Sequence, residues 1–144
     1  MMIGRFETPI EDFNYRPLVV GGRIVRDRVV IEGEIVWVSS EGVRVMVQDG
    51  FICNLASLPL SGILLYKLGR HQRAAVLHDW LYSVQDMGRA WSDKQLLEAC
   101  EHDQVTGYRR GLVYAGAYAG GWYEWNRATE PELFDAVYEP EFYG

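Results

Sequence analysis

His78 and Asp79 stand side by side within "AAVLHDWLYS", residues 74–83, an otherwise apolar run of helix-forming residues. An imidazole and a carboxylate are mixed ligands that hold divalent metal ions, and each can also act as a general base. Adjacent residues on a helix point about 100° apart, so the two side chains can flank one groove but cannot share the centre of one face. The pair therefore indicates either a reactive site or a buried imidazole that the core satisfies.

A metal site at His78 and Asp79 would need further ligands from other helices, as in metal-dependent phosphohydrolases of the HD type. The residues available for this are His71, Asp93 and His102. The β-rich first half of the chain does not suit the all-helical body of those enzymes. A divalent metal ion is the cofactor that this interpretation implies.

The structural alternative places His78 in the core, with its ring nitrogens bonded to a carbonyl, a hydroxyl or a carboxylate. Asp79 then forms an ion pair or a cap with a nearby arginine, such as Arg73 or Arg89. The residue types alone leave both alternatives open.

A second polar segment, "DGFICNLASLPL", spans residues 49–60. Ser57 and His78 would suit a nucleophile and its base, but the chain has no G-x-S-x-G turn and no oxyanion-loop signature. As a structural residue, Ser57 caps a helix or lies just before one. Cys53 and Cys100 are far apart and lack a C-x-x-C spacing, so they predict buried thiols rather than a zinc site or a disulfide.

The 144-residue chain has a net charge of −6, most of it at the carboxyl end. Residues 129–144 contain five acids and no base, which leaves 15 acids against 14 bases, or −1, in the first 128 residues. A nearly neutral body does not suit binding to nucleic acid or to an anionic membrane. No window reaches about 18 apolar residues and no signal peptide opens the chain, so we expect neither a membrane span nor export.

The first half of the body has the pattern of β structure. Residues 28–47 are rich in β-branched side chains and contain a turn signal at residues 39–42, which predicts a hairpin. Val43, Val45 and Val47 alternate with polar or flexible residues, as in a strand with one buried face. Upstream, "RPLVVGGRIV" predicts a further strand pair with its corner at the two glycines.

Helical patterns follow at residues 61–69, 71–85, 92–103 and 108–126. Ser92 and, three residues on, Gln95 form a capping-box signal, so Ser92 is the expected N-cap of the third helix. The predicted fold class is therefore α+β, with an N-terminal antiparallel β hairpin or sheet packed against three to four C-terminal helices. The expected organisation is a single domain, residues 1–128, followed by an acidic, aromatic tail, residues 129–144.

Two segments have the character of contact surfaces. Gly111, Ala115 and Ala119 share a spacing of four, which favours close helix packing, either inside the domain or with another copy of the chain. In the tail, acids alternate with Phe134, Tyr138, Phe142 and Tyr143. Such a segment is either solvated or docked on a partner chain.

Three stretches, "DGFICNLASLPL", "AAVLHDWLY" and "GRAWSDKQLLEAC", together resemble the phage and prophage family catalogued as domain-of-unknown-function family 1353. Members carry a Gly-Phe-x-Thr-Asp-x-Ala-Ser-(Ile/Val)-Pro-Arg segment, a His-Asp-x-Leu-Tyr segment, and an Arg followed by an Asp at a helix start. The resemblance covers roughly residues 43–125. The matching residues are Gly50, Phe51, Ala56, Ser57, Pro59, His78, Asp79, Leu81, Tyr82, Arg89 and Asp93. It implies a compact α+β domain encoded among phage structural and lysis genes, without a settled activity.

Two positions depart from the family pattern. Asn54 stands where the family has Asp, and an amide binds a hard cation far more weakly than a carboxylate does. Leu60 stands where the family has Arg, which removes a bidentate holder of anions. Both changes weaken an enzymatic interpretation more than a structural one, because Asn can still hydrogen-bond and Leu can still pack.

The function expected first is that of a bacteriophage-encoded virion or virion-assembly protein, located in the virion or the host cytoplasm. Its partners would be other phage proteins or copies of itself, with residues 129–144 as a docking segment. In this interpretation a polar network joins the sheet-to-helix loop to two helices and organises the fold. Its members would be His78, Asp79, Ser57, Asn54, Arg89 and Asp93.

The alternative is a hydrolase acting on cell-wall or nucleotide material through a partly eroded site. His78 would be its general base or metal ligand, and Asp79 and Asp93 its carboxylate partners. Ser57 would serve in catalysis or substrate contact. Asn54 and Arg89 would bind the substrate.

Overall fold

Two three-stranded antiparallel sheets and two α-helices form the described part of the computed structural model, which is residues 3–53, 72–105, 125–127 and 130–134. The strands are β1 (Arg5–Phe6), β2 (Asn14–Val20), β3 (Arg23–Glu32), β4 (Ile35–Val38), β5 (Arg44–Val47) and β6 (Ile52–Cys53). The helices are α1 (Gln72–Val84) and α2 (Arg89–His102), and a 3-10 turn, Ile10–Asp12, follows β1. The predicted α+β class is confirmed.

The strands form one sheet in the order β1-β4-β5 and another in the order β2-β3-β6. The hairpin predicted around residues 39–42 is the pair β4–β5, and the strand pair predicted at Gly21 and Gly22 is β2–β3. Both of these glycines have a positive φ, as two-residue hairpin turns require. Gly33 also has a positive φ, and the chain passes there from β3 in one sheet to β4 in the other.

Helix α1 is buried on nearly every side, because it lies in the larger apolar core between the sheets and α2. On α2 the buried residues recur at helical spacing, from Ser92 through Gln95 and Leu96 to Ala99 and Cys100. In β5, Val45 is partly buried and Val47 fully buried between exposed neighbours, which confirms the predicted alternation. The two cysteines are buried and free, also as predicted.

The predicted N-cap of α2 is wrong. The helix begins at Arg89, with Gly88 as its N-cap, so Ser92 lies within the first turn. Ser92 is fully buried and its hydroxyl donates to the carbonyl of Gly88 at 3.0 Å. Gln95, the expected capping-box partner, instead accepts a hydrogen bond from the indole of Trp37 at 2.9 Å. The capping box therefore does not form, because Gln95 contacts β4 and Ser92 bonds a backbone carbonyl instead of capping an amide.

Helix α1 ends at Val84, and the end of α2 is as predicted, with Asp103 as its C-cap. The first and fourth predicted helices, residues 61–69 and 108–126, lie outside the described residues except for 125–127, which are helical. Two of the three to four expected helices are therefore described. No helix of the described part is long and apolar enough to cross a membrane.

The start of the acidic tail lies against the second sheet. Leu133 forms a β-bridge with Phe51, and the amide of Phe134 donates to the carbonyl of Gly50 at 2.7 Å. The ring of Phe134 packs on a small apolar cluster of β2, β3 and β6 and lies under the guanidinium of Arg16. Residues 130–134 are therefore bound by the domain, while 135–144 fall outside the described residues.

Replacement of Gly50 tests this docking, with Gly33 as a matched control. Both glycines have φ near 85–90°, so Gly33→Ala should cost about 1–2 kcal/mol through backbone strain alone. A Cβ on Gly50 would also lie 2.9 Å from the carbonyl oxygen of Phe134, whereas one on Gly33 meets open space. Urea denaturation should show Gly50→Ala less stable than Gly33→Ala by about 1 kcal/mol or more. Equal losses would contradict the docking of Phe134.

Candidate functional site

A buried carboxylate joins the two helices. The Nε2 atom of His78 on α1 lies 2.7 Å from Oδ1 of Asp93 on α2. Only 2% of Asp93 and 9% of His78 is exposed to solvent. Tyr82, one turn after His78 on the same face of α1, donates its hydroxyl to the same oxygen at 2.6 Å. The rings of His78 and Tyr82 lie 4.2 Å apart, so the three groups form a closely packed cluster.

Arg89 adds a positive charge to the cluster. Its Nε lies 3.8 Å from the other carboxylate oxygen of Asp93, four residues on in the same helix. Burial raises the pKa of Asp93, but hydrogen bonds from His78 and Tyr82 and the charge of Arg89 outweigh it, so the pKa lies below the ordinary carboxyl value. Asp93 is therefore an ionised acceptor. It follows that the Nε2 atom of His78 carries a proton and donates it to this hydrogen bond.

Tyr82 donates its hydroxyl to Asp93 in the protonated form. Burial and the hydrogen bond to ionised Asp93 raise the pKa of the phenol well above its usual value. At neutral pH the hydroxyl is thus a donor to Asp93. The ring of Tyr82 also meets that of Trp125 edge to face, with centroids 5.1 Å apart, which brings the helical residues 125–127 against this end of α1.

Asp79 takes part in a separate contact. Its Oδ2 accepts a hydrogen bond from the thiol of Cys53, at the end of β6, with a donor–acceptor distance of 3.0 Å. Burial first, and then the neighbouring Asp79 charge, raise the pKa of Cys53 well above that of a free thiol. Cys53 is therefore a protonated donor and not a nucleophile. Arg73, which the sequence suggested as a partner of Asp79, pairs instead with Asp103.

The structure brings together three of the residues that the sequence singled out, namely His78, Asp93 and Arg89. Asp79 contacts Cys53 instead, because adjacent side chains on a helix point about 100° apart. Asn54 and Ser57 lie outside the described residues. Tyr82 had been noted only as part of a motif, although its position four residues after His78 is the signal that places both on one face of α1.

Of the additional metal ligands suggested by sequence, Asp93 lies beside His78, whereas His102 does not. His102 lies at the far end of α2, where its Nδ1 is 3.2 Å from Asp103, and His71 is outside the described residues. Within the described part of the chain, no group of three or more His, Cys, Asp or Glu side chains is arranged to hold a metal ion. Metal binding at Nε2 of His78 would also break its hydrogen bond to Asp93. The metal site remains a prediction.

The pair of His78 and Asp93 resembles, in one respect, the imidazole that an aspartate orients in acid–base catalysts. The carboxylate orients the ring through one nitrogen, which leaves the other available to exchange a proton. No described residue hydrogen-bonds Nδ1 of His78, and 11% of the side chain is exposed. The same contacts also satisfy the requirement that buried polar groups be paired, so the geometry serves a structural role equally directly.

The lowered pKa of Asp93 predicts an acid-labile contribution to stability. A carboxyl whose pKa is lower in the folded than in the unfolded protein stabilises above the unfolded value, and this contribution is lost as pH falls through the folded value. The unfolding free energy of the wild type should therefore drop below about pH 4, where a free Asp titrates. Asp93→Asn should be less stable at neutral pH and show a shallower acid decline in urea denaturation.

Asp86→Asn, at an exposed position before α2, serves as the matched control and should keep the wild-type acid decline. If Asp93→Asn and the wild type decline in parallel, the carboxylate of Asp93 does not make the charged contacts described above.

Comparison with known proteins gives one match, to the model of a protein family. No curated protein and no solved structure matches the chain. The model of the family described as "Protein of unknown function (DUF1353)" matches residues 29–117, a stretch that contains β4 to β6, both helices and the polar cluster. The match covers more than half of the sequence, and the chain belongs to the DUF1353 family of proteins of unknown function.

Proposed function

We propose that this chain is a bacteriophage-encoded structural protein, a component of the virion or of its assembly, in which the polar cluster of α1 and α2 holds the fold together. The structural role in this proposal rests on one observation, which is that groups of the same chain enclose the carboxylate of Asp93. Both hydrogen-bond donors next to Oδ1 of Asp93 belong to the chain itself, and Asp93 is almost completely buried. A site for substrate needs a carboxylate or imidazole with free capacity facing a cavity.

The energetics of burial favour the same conclusion. An ionised carboxylate in the interior is tolerated only when several donors compensate for its lost hydration. Asp93 has these donors from His78 and Tyr82, with Arg89 nearby, so its carboxylate is compensated in the folded chain. Any substrate that recruited Asp93 would first have to displace one of these donors. The cluster therefore fits a contact that specifies how α1 meets α2.

Exposed apolar side chains supply the surface that an assembly protein needs. Val19 and Ile24 face each other across the tip of the β2–β3 hairpin and are 43% and 71% exposed. Tyr15 on the same strand and Met46 on β5 are also exposed. The proposed partners are other phage proteins or copies of this chain. Within the acidic tail, 129–144, the proposed docking segment is residues 135–144, which follow the part bound by the domain and combine acids with aromatic side chains.

A second candidate function is a hydrolase that uses His78 as its base. One specific observation favours it: Asp93 holds the imidazole through Nε2, while Nδ1 has no partner among the described residues. Proton transfer at Nδ1 would be its chemistry, with Asp93 orienting the ring. Ser57, Asn54 and any metal ion belong to this candidate only as proposals.

Metal content and stability together separate the two candidates. On the structural proposal, plasma mass spectrometry of the purified wild type should find no stoichiometric divalent metal. His78→Ala should lower the unfolding free energy by about 2–4 kcal/mol, because Asp93 then keeps its burial but loses a donor. Ser83→Ala is the control on the same helix, since its hydroxyl bonds the carbonyl of Asp79 one turn earlier and contacts no charged side chain of the described part of the chain. A stoichiometric metal that disappears in His78→Ala would favour the hydrolase instead.

A separate experiment tests the assembly role. Deletion of residues 135–144 removes the distal tail but keeps 130–134, which pair with β6 and Gly50. On the proposal, mass spectrometry should find the full chain in particles purified after induction of the encoding phage or prophage. The deletion variant should keep wild-type thermal stability and be depleted from the particles. Absence of the full chain both from particles and from assembly intermediates would contradict the proposal.

A further inference from the structure

A cavity of about 610 Å³ lies near Asp103, at the opposite end of the helix pair from Asp93. Its walls come from the segment after β1, the first turn of α1 and the C-terminal end of α2. Asp103 follows Asp93 by ten residues, or about 15 Å of helix, so the cavity is distinct from the polar cluster. A volume of this size is within the range that accommodates small organic ligands.

One side of the cavity is apolar. Phe6, Pro9, Ile10 and Phe13 line it, and they come from β1, the 3-10 turn and the residues around them. The guanidinium of Arg73 lies 3.9 Å from the centre of the Phe6 ring, so this wall is held against the start of α1. An apolar wall built around two aromatic rings favours a ligand with a planar, hydrophobic body.

Arg73 and Asp103, which both line the cavity, carry opposite charges and form an ion pair. Arg73 donates to both carboxylate oxygens of Asp103, from Nε at 3.0 Å and from Nη2, and both side chains are at least 95% buried. Asp103 also lies within hydrogen-bond distance of His102. A charged ligand would find no unpaired opposite charge in this pair and would lose its hydration on entering. The wall therefore favours an uncharged ligand.

Arg73 provides spare hydrogen-bond donors in the wall of the cavity. Arg73 has five N–H groups, and its contacts with Asp103 and the carbonyl of Thr8 use three of them. Gln104, which also lines the cavity, is exposed, and its side-chain amide can accept as well as donate. A carbonyl oxygen on the ligand would accept from the two remaining N–H groups of Arg73 without disturbing the ion pair.

We infer that the cavity between the 3-10 turn and the Arg73–Asp103 ion pair binds an uncharged aromatic molecule that carries a carbonyl acceptor. This inference concerns a different part of the molecule from the polar cluster and holds whichever function that cluster serves. Benzamide is the simplest probe of this class. Benzoate and benzylamine have similar bodies with a negative and a positive charge.

The test is a titration of the full, isotopically labelled chain with each of the three probes, followed by amide chemical shifts in NMR spectra. Benzamide should bind saturably with a dissociation constant of about 1 mM or lower, and at least about tenfold more tightly than either ion. The amides of His102 and Gln104 should be among those that shift. This comparison uses only the wild-type chain, so it does not depend on the folding of any variant.

Ile10→Trp should reduce benzamide affinity by about tenfold or more, because the larger side chain fills the cavity. Ile24→Trp is the matched control, since both isoleucines are well exposed but only Ile10 lines the cavity. The control should keep wild-type affinity. The inference is overturned if no probe produces saturable shifts, if benzoate or benzylamine binds as tightly as benzamide, or if Ile10→Trp binds benzamide like the wild type.

Discussion

The contact between α1 and α2 depends on two buried polar pairs, one near each end of the antiparallel helices. At one end the Asp93 carboxylate accepts hydrogen bonds from His78 and Tyr82. At the other, Arg73 forms a bidentate pair with Asp103. Each pair has a specific donor–acceptor geometry, so sliding one helix along the other by a single turn would separate three buried charged side chains, Asp93, Arg73 and Asp103, from their partners on the other helix. The polar pairs thus define the register of the helices, whereas the apolar residues between them supply most of the burial.

The sheets are attached to this helix pair through few, specific contacts. The indole of Trp37 donates to Gln95 on α2, and Arg73 donates to the backbone carbonyl of Thr8 after β1. The thiol of Cys53 donates to Asp79 from the end of β6. Both sheets are therefore attached to the helices by buried or partly buried hydrogen bonds as well as by apolar packing. A polar residue that resembles a catalytic group in the sequence can have this role in a small domain, because its cost of burial is repaid only by one arrangement of partners.

The polar cluster and the cavity divide the molecule into two regions with different chemistry. Around Asp93 the hydrogen-bonding groups are paired with each other and enclosed, apart from Nδ1 of His78. Around Asp103 the charges are also paired, but a cavity and unused donors remain beside them. The cluster therefore suits a contact within the fold, while the cavity is the place where a further molecule can be accommodated.

Local patterns in the chain were sufficient for the two hairpins, β2–β3 and β4–β5, with their turns at Gly21 and Gly22 and at residues 39–42, and for the buried thiols and the end of α2. Each of these depends on neighbours along the chain, through β propensity, positive φ or a helix C-cap. Asn54, Ser57 and the expected outer helices stay predictions, since they fall outside the described residues. The start of α2 and the partners of Asp79, Arg73 and Asp103 followed no local pattern. They were decided by which side chains the packed helices and sheets bring within hydrogen-bond distance, and by the high cost of leaving a buried polar group unpaired.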